Sequence, residues 1–106
     1  MDNRLIVLRG PSAAGKSSVA AALLESPRPT ALIAQDSYRF IFNVREGEPY
    51  SRAVREMIRT NVLTALGNGF DVVVEGVLKA KGYREVFGAL FREHPRAIRH
   101  IRCLRR

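Results

Sequence analysis

The stretch LRGPSAAGKSSVA, residues 8–20, decides the fold. In it, four residues separate Gly10 from Gly15, and Lys16 and Ser17 follow directly. This spacing satisfies the rule for a phosphate-binding P-loop, in which two glycines, a lysine and a serine or threonine form a turn around a phosphate group. An apolar run precedes the motif and a helical pattern follows it, which is the context that a P-loop requires. The sequence therefore predicts a nucleotide-phosphate site.

Each part of the P-loop has a physical role. Glycines let backbone N–H groups turn inward onto an anion, at the positive end of the following helix. We expect Lys16 to reach the β and γ phosphates and the Ser17 hydroxyl to hold Mg²⁺, and we predict ATP and Mg²⁺ as the cofactors. Ser18 is a weaker candidate because it lies within the helix. The predicted cofactor-binding set is Gly10, Ser12, Ala13, Ala14, Gly15, Lys16, Ser17 and Ser18.

Length and composition bound the class of protein. With 106 residues, 46% of them hydrophobic, the chain makes one domain at most, smaller than the usual nucleotide-binding α/β domain. Its longest apolar run is far below the roughly 20 residues that cross a bilayer, so no membrane partner is expected. The single Cys103 cannot form an internal disulfide, and a cytoplasmic location is the expectation.

The net charge of +8 indicates phosphorylated partners, and nucleic acid is one candidate. The alternative is a solvated basic surface, because the arginines are spread along the chain instead of forming one block. Arg52, Arg55 and Arg59 recur at helical spacing. They form either a cradle for a phosphorylated substrate or a solvated helix face.

Strand and helix patterns alternate along the chain. Short β-branched runs predict strands at 4–8, 30–35, 71–75 and 97–104, and helical spacing predicts helices at 16–25, 50–66 and 82–93, with a short apolar helix from Asp36 to Phe42. This alternation predicts a three-layer α/β fold, a parallel sheet with helices on both faces. Ligands of such sheets bind beyond the carboxyl ends of the strands. The P-loop, Asp36 and Glu75 should therefore meet at that edge.

Two carboxylates are candidates for the chemistry at this edge. Asp36 would be the base that receives the acceptor's proton, with Arg39 about one turn away and facing the same pocket; the alternative is that Asp36 only caps a helix. Glu75 would orient Mg²⁺, hydrogen-bond the acceptor, or simply be solvated at a strand end. Lys79 and Lys81 would add only electrostatic help. The predicted catalytic residues are Asp36, Lys16 and Arg39, and the predicted metal ligands are Ser17 and Glu75.

With these residues in place, the chain resembles the small P-loop kinases of the AAA_33 or zeta-toxin-like group, and is similar to the kinase domains of polynucleotide kinase and chloramphenicol phosphotransferase. In the polynucleotide kinase family an aspartate about twenty residues after the P-loop is the general base and an arginine follows three residues later; chloramphenicol phosphotransferase likewise uses an aspartate after its second strand. Lys16, Ser17, Asp36 and Arg39 match that pattern. The resemblance implies a sheet of order 2-3-1-4-5 and transfer of the ATP γ-phosphate to a hydroxyl acceptor.

The carboxyl end departs from the resemblance. The kinases continue into an arginine-bearing lid and a fifth strand, whereas this sequence stops at Arg106, so the expected order is 2-3-1-4. The open sheet edge predicts a homo-oligomer. Three functions follow as alternatives: a kinase acting on a small molecule or a nucleic-acid end, an ATP-binding module without independent catalysis, and a basic nucleic-acid-binding protein. A GTPase is disfavoured because no Asn-Lys-x-Asp signature follows the third strand.

Overall fold

The computed structural model describes residues 3–10, 16–93 and 101–102. In chain order these residues form strands and helices in alternation, with bounds β1 Leu5–Arg9, α1 Lys16–Leu24, β2 Thr30–Ala34, a 3₁₀ helix Gln35–Ile41, α2 Glu48–Gly67, β3 Asp71–Gly76, α3 Ala80–Glu93 and β4 Ile101–Arg102. The described strands make one parallel sheet of order β2-β3-β1-β4. The predicted three-layer α/β class and the 2-3-1-4 order are confirmed.

Helices cover both faces of the sheet, and strand alternation decides which residues meet them. Even-numbered residues of β1 and odd-numbered residues of β3 face α1, where a small cluster forms from Ile6, Leu8, Ala20 and Val73. The opposite face packs on α2 and α3 in a larger cluster that includes Leu5, Val7, Ile58, Val62, Val72, Val74, Phe87 and Leu90. Burying a side chain of this size contributes about 1.5–3 kcal/mol, so the face covered by α2 and α3 contributes most of the stability.

Helix α2 was the clearest sequence prediction, and the structure confirms it with ends within two residues. Pro49 lies in its first turn, where a missing N–H costs nothing. After its last residue the chain turns at Gly69, whose φ of 89° is the left-handed conformation that glycine adopts freely. The turn leads directly into β3, which lies between β1 and β2.

Two details of side-chain exposure differ from the sequence patterns. Val19 and Leu24 share one face with Ala20 and Leu23 in the predicted helix, yet they are 38% and 42% exposed, whereas Ala20 is buried. Phe40 and Ile41 of the short helix are exposed as well, at 72% and 60%. That helix has 3₁₀ geometry, and its inward residue is Tyr38, whose hydroxyl accepts a 2.7 Å hydrogen bond from Asn61 Nδ2. Of the strand predicted at 97–104, only Ile101–Arg102 lies within the described residues.

The amino-terminal edge of the sheet contains a buried carboxylate that is bound by two partly exposed arginines. Asp71, 1% exposed, begins β3. It accepts hydrogen bonds from the backbone N–H of Arg4 at 2.8 Å and from the guanidinium of Arg28 at 2.7 and 3.1 Å. Burial alone would raise the pKa of Asp71, but the hydrogen bonds from Arg28 and Arg4 outweigh it and hold this pKa below its usual value. These hydrogen bonds compensate the buried charge of Asp71 where β3 begins.

Candidate active site at the carboxyl edge of the sheet

The carboxyl ends of three strands lie level with one another. In the strand register Arg9 pairs with Gly76, and Ala34 pairs with Glu75. The chain leaves β1 through Gly10, whose N–H donates a 3.3 Å hydrogen bond to the Gly76 carbonyl and whose φ of 148° favours glycine. The first glycine of the P-loop motif is thus attached to the end of β3, where a second loop of the site begins.

The P-loop is only partly within the described residues. Ser12, Ala13, Ala14 and Gly15 lie outside them. Lys16 and Ser17 occupy the first turn of α1, as the motif requires, and Ser18 is exposed one residue further along the helix. The roles assigned to these residues stay predictions, with the strand–loop–helix context around them confirmed.

Asp36 lies two residues beyond β2 on the exposed side of the 3₁₀ helix, with its side chain 85% exposed. The buried Tyr38 fixes this helix to α2, so Asp36 is directed away from the core. Arg39 Nη1 lies 3.9 Å from Asp36 Oδ1, one turn away as predicted. The residue before the helix, Ala34, makes no side-chain cap, and Asp36 lies inside the first turn. Capping therefore does not account for this carboxylate.

Asp36 lines a pocket of about 300 Å³ between α2 and the loop that follows β3. Its wall is polar and carries several charges, and the lining residues are Gln35, Asp36, Tyr50, Ser51, Val54, Arg55, Val77, Lys79, Lys81 and Tyr83. The pocket lies beyond the ends of β2 and β3, where ligands of parallel sheets bind. The sequence indicated Asp36 and the two lysines here, and one of its two interpretations of the arginine stripe on α2, a cradle for a phosphorylated substrate, also puts Arg55 at a ligand site.

Gln35 connects two of the segments that form this pocket through its side-chain hydrogen bonds. Its Nε2 donates to the Tyr83 hydroxyl at 3.1 Å, and its Oε1 accepts from the N–H of Leu78 at 3.4 Å. Its side chain crosses Gly76 so closely that a Cβ added there would lie 2.6 Å from the Gln35 Cβ. Leu78 is fully buried with a φ of 50°, an uncommon conformation for leucine that costs about 1–3 kcal/mol. A strained backbone held by its surroundings is typical of functional loops.

Arg55 does not lie on a solvated helix face. The helical stripe left open a solvated row or a cradle for a phosphorylated substrate, and the Arg55 side chain is only 18% exposed and lines the pocket. Its Nη2 lies 2.8 Å from Glu48 Oε2, and its Nε would be 2.7 Å from a Cβ at Gly82. Gly82 has a φ of 92°, and the break there in α3 brings the loop onto the guanidinium. In the sequence, the position of Gly82 at the start of the predicted helix 82–93 was the signal that could have indicated this break.

Tyr83 lies at the back of the pocket, stacked on Phe87 with ring centroids 5.9 Å apart. Burial raises the pKa of its hydroxyl above the ordinary value, so it stays protonated at neutral pH. Tyr83 can therefore donate or accept a hydrogen bond there but does not act as a base.

Glu75 is half-buried near the end of β3. Strand alternation puts it on the same face as Val73, which packs against α1. This is the face from which α1 and its first turn approach the sheet. The position suits a carboxylate that meets Mg²⁺ or its water beside the P-loop. Among the described residues no cluster of three or more His, Cys, Asp or Glu side chains could hold a metal by itself. Mg²⁺ on a nucleotide needs only one or two carboxylates besides phosphates and water.

A surface beside the pocket combines an aromatic ring with two arginines. Phe40 is 72% exposed, and the guanidinium carbons of Arg39 and Arg45 lie 5.6 and 5.8 Å from the centroid of its ring. Arg45 also donates to the Phe42 carbonyl at 3.0 Å, which fixes the second guanidinium in place.

The fold and the sequence motif together define a P-loop protein: a parallel sheet of order 2-3-1-4, a glycine-rich motif after β1 and an aspartate after β2. Residues 5–105 match the model of the AAA_33 family, described as an AAA domain, and the chain belongs to that family. No curated protein matches the chain in sequence. In the part of the chain that the structure describes, no helix is long and apolar enough to cross a membrane.

Solved structures share this fold. The chain is similar to a structure of the Pnkp1/Rnl/Hen1 complex, with a TM-score of 0.77, 19% identity and coverage of 98% of this chain and 36% of that one. It is also similar to the APS kinase CysC of Mycobacterium tuberculosis in complex with AMPPNP and APS, with a TM-score of 0.74, 19% identity and coverage of 96% and 62%. The chain thus spans about a third of the first relative and under two thirds of the second. At these identities the likeness establishes the fold.

Proposed function

We propose that this chain is an ATP-dependent phosphotransferase that moves the γ-phosphate to a hydroxyl group held in the carboxyl-edge pocket. One observation carries the proposal. The pocket containing Asp36 begins at the end of β3, and the hydrogen bond from Gly10 to Gly76 attaches this strand end to the start of the P-loop. A phosphate donor site and a carboxylate that faces an acceptor site are then neighbours. In-line phosphoryl transfer needs that arrangement.

The chain's own residues would divide the work as follows. The P-loop backbone and Lys16 hold the β and γ phosphates, and Mg²⁺ on Ser17 and Glu75 would neutralise phosphate charge. Asp36 accepts the proton of the acceptor hydroxyl as the new O–P bond forms and the bond to the leaving ADP breaks. Arg39, 3.9 Å from Asp36, would orient the carboxylate or contact the transferred phosphate. The CysC structure, in complex with AMPPNP and APS, supports an ATP-like donor for this fold.

The test is ADP release from the 106-residue chain in the presence of Mg²⁺, ATP and a panel of hydroxyl compounds. Asp36→Asn should lower transfer about 100-fold or more, because general-base catalysis contributes about 10²–10⁴-fold. Glu46→Gln is the matched control, since Glu46 is exposed in the loop before α2 and outside the pocket lining. Full transfer by Asp36→Asn contradicts the proposal. Saturable ATP binding without transfer to any compound supports instead a nucleotide-binding module that does not catalyse alone.

A second candidate function is single-stranded nucleic-acid binding, favoured by the exposed ring of Phe40 with Arg39 and Arg45 close to it. An exposed ring beside two cations can stack on a base while the arginines contact the backbone, and such stacking contributes about 1–3 kcal/mol per base. An oligonucleotide should then bind about 10-fold more weakly to Phe40→Ala and unchanged to Lys16→Ala, with affinity falling steeply as salt increases. Phe70→Ala, at the amino-terminal edge, is the control. Equal loss in both phenylalanine variants contradicts this function.

A further inference from the structure

The charge of the carboxyl-edge pocket is unbalanced. Arg55, Lys79 and Lys81 line it, against the single carboxylate of Asp36. Three positive groups against one negative group leave two positive charges in excess on the lining. Glu48, which pairs with Arg55, offsets part of that excess from outside the lining and is 57% exposed. Cations gathered in a concave site attract and orient an anion far more strongly than cations on a flat surface.

Arg55 is held in place before any ligand arrives. Its side chain is 18% exposed, its Nη2 is bonded to Glu48 at 2.8 Å, and the backbone at Gly82 lies directly against it. A guanidinium fixed by packing loses little entropy when it binds an oxyanion. The conformation at Gly82, with a φ of 92°, is what allows the loop carrying Lys81 to approach so closely.

Neutral donors complete the wall. The Tyr83 hydroxyl, which burial keeps protonated, and the side chains of Tyr50 and Ser51 line the same cavity. A volume of about 300 Å³ is at the lower end of the range for small-molecule sites, about 300–1,000 Å³. The pocket therefore accommodates one small anionic group with a short carbon frame, placed between the cations and Asp36.

We propose that this pocket binds a tetrahedral oxyanion, so that the acceptor is a small hydroxyl compound bearing a phosphate or sulfate ester. Arg55, Lys79 and Lys81 hold the ester group, which leaves the hydroxyl toward Asp36. Three cationic side chains offer donors to more oxygens than the two of a carboxylate, so a phosphate or sulfate ester uses them more fully. Naming the acceptor class rests on the proposed phosphotransfer, whereas binding of the oxyanion does not.

The first experiment separates the two claims by removing the P-loop as an anion site. Inorganic phosphate is titrated into the ¹⁵N-labelled Lys16→Ala chain, and backbone amide shifts are followed by NMR. Saturable shifts should appear at Lys79, Lys81, Gly82 and Tyr83, and Arg55→Gln in the same background should weaken binding at least 10-fold, since its charged hydrogen bonds to the oxyanion are lost.

Arg92→Gln is the control, because Arg92 is exposed near the end of α3 and outside the pocket lining. Should Arg55→Gln fail to fold, the double variant Lys79→Gln/Lys81→Gln provides the same test, since both lysines are exposed. Absence of saturable shifts in the pocket, or equal affinity in the folded pocket variants and the control, overturns the oxyanion site whatever the chain does with ATP.

The second experiment compares matched acceptors in the ADP-release assay with the wild-type chain: a sugar against its phosphate ester and its sulfate ester, and a nucleoside against its monophosphate. An ester should show a kcat/KM at least 10-fold above that of its parent compound. In Lys79→Gln/Lys81→Gln the ratio of the two kcat/KM values should fall to about 1. The better ester identifies the source of the oxyanion. Equal use of parents and esters overturns the acceptor class but leaves phosphotransfer standing. Absence of transfer to every compound overturns the proposed function and with it the acceptor class, while the phosphate titration still decides the oxyanion site.

Discussion

The two ends of the same sheet each carry an aspartate with arginines, and the two clusters are built in opposite ways. At the amino-terminal edge Asp71 is 1% exposed and bonded by Arg4 and Arg28 at 2.7–3.1 Å. At the carboxyl edge Asp36 is 85% exposed, and Arg39 lies 3.9 Å away. One carboxylate has its hydrogen-bonding capacity used by the protein, and the other presents its oxygens to solvent beside a pocket.

The difference separates stability from function. A buried carboxylate is tolerated only with partners, and removing them leaves an unpaired charge that is strongly destabilising. An exposed pair contributes about 0–1 kcal/mol, so the protein can use Asp36 and Arg39 for chemistry at little structural cost. Substitutions at the amino-terminal edge should therefore change the free energy of unfolding, whereas those at the carboxyl edge should change the rate of the reaction.

The largest effect is expected for Asp36→Asn, which should reduce phosphate transfer about 100-fold or more through loss of the base. Because the side chain is exposed, the free energy of unfolding should stay within about 0.5 kcal/mol of wild type. Steady-state kinetics and urea denaturation on one preparation measure both quantities. A variant that loses stability in parallel with activity would remove the distinction between the two edges.

Asp71→Asn should lower the free energy of unfolding by about 2–3 kcal/mol, because charged hydrogen bonds to a buried group are lost. The folded-state pKa of Asp71 is depressed, so its contribution to stability is present above the unfolded pKa, near 3.9, and is lost as pH falls through the folded pKa. Urea denaturation across pH 2–6 should show a steeper acid loss in wild type than in the variant. Identical slopes would contradict the assigned pKa direction.

Gly82→Ala should cost about 1–3 kcal/mol, because the residue has a φ of 92° and a Cβ would lie 2.7 Å from Arg55 Nε. Displacing Arg55 should also raise KM for the acceptor while leaving ATP affinity unchanged. Gly88→Ala is the matched control in the same helix, since its Cβ would meet only Arg92 Nη1 at 3.7 Å. Equal behaviour of the two alanine variants in both assays would refute the role of this close approach.

The smallest effect is expected from Arg39→Gln, which should change the free energy of unfolding by no more than about 0.5 kcal/mol, since its ion pair is exposed and long. Arg28→Gln, made for comparison, should cost more because it removes two hydrogen bonds to the buried Asp71. Thermal denaturation of the two variants ranks them directly. If Arg39→Gln lowered the free energy of unfolding more than Arg28→Gln, the assignment of stability to the amino-terminal edge and function to the carboxyl edge would be contradicted.

The sequence predicted the carboxyl edge well where a local pattern was sufficient. The glycine spacing of the P-loop and the short β-branched runs predicted the parallel α/β sheet, and the resemblance to small P-loop kinases implied its strand order. An aspartate directly after β2 reaches the ligand-binding edge whatever the packing around it. The same reasoning correctly placed Glu75 near the end of β3. These features depend on chain order and on strand direction, and both can be derived from sequence.

What the sequence missed depends on contacts between distant elements. Arg28 and Asp71 are 43 positions apart and meet only because β2 pairs with β3. Arg55 was treated as part of a helical stripe, because periodicity reports a helix face but not the loop that covers it. The left-handed turn at Gly82 brings that loop onto the guanidinium. The exposed Phe40 belongs to the stretch predicted as a short apolar helix, and apolarity alone reveals neither its 3₁₀ geometry nor which of its side chains face the core.

The most direct test of the central claim is a calorimetric titration of Mg²⁺-ATP into the folded wild-type chain, Lys16→Ala and Asp36→Asn. The account predicts saturable binding with one site per chain in wild type and an affinity at least 10-fold lower in Lys16→Ala. Asp36→Asn should bind ATP with near-wild-type affinity, because Asp36 contacts the acceptor and not ATP. Absence of binding by the folded wild-type chain, or equal binding by Lys16→Ala, would contradict the assignment of the carboxyl edge as an ATP-dependent phosphotransfer site.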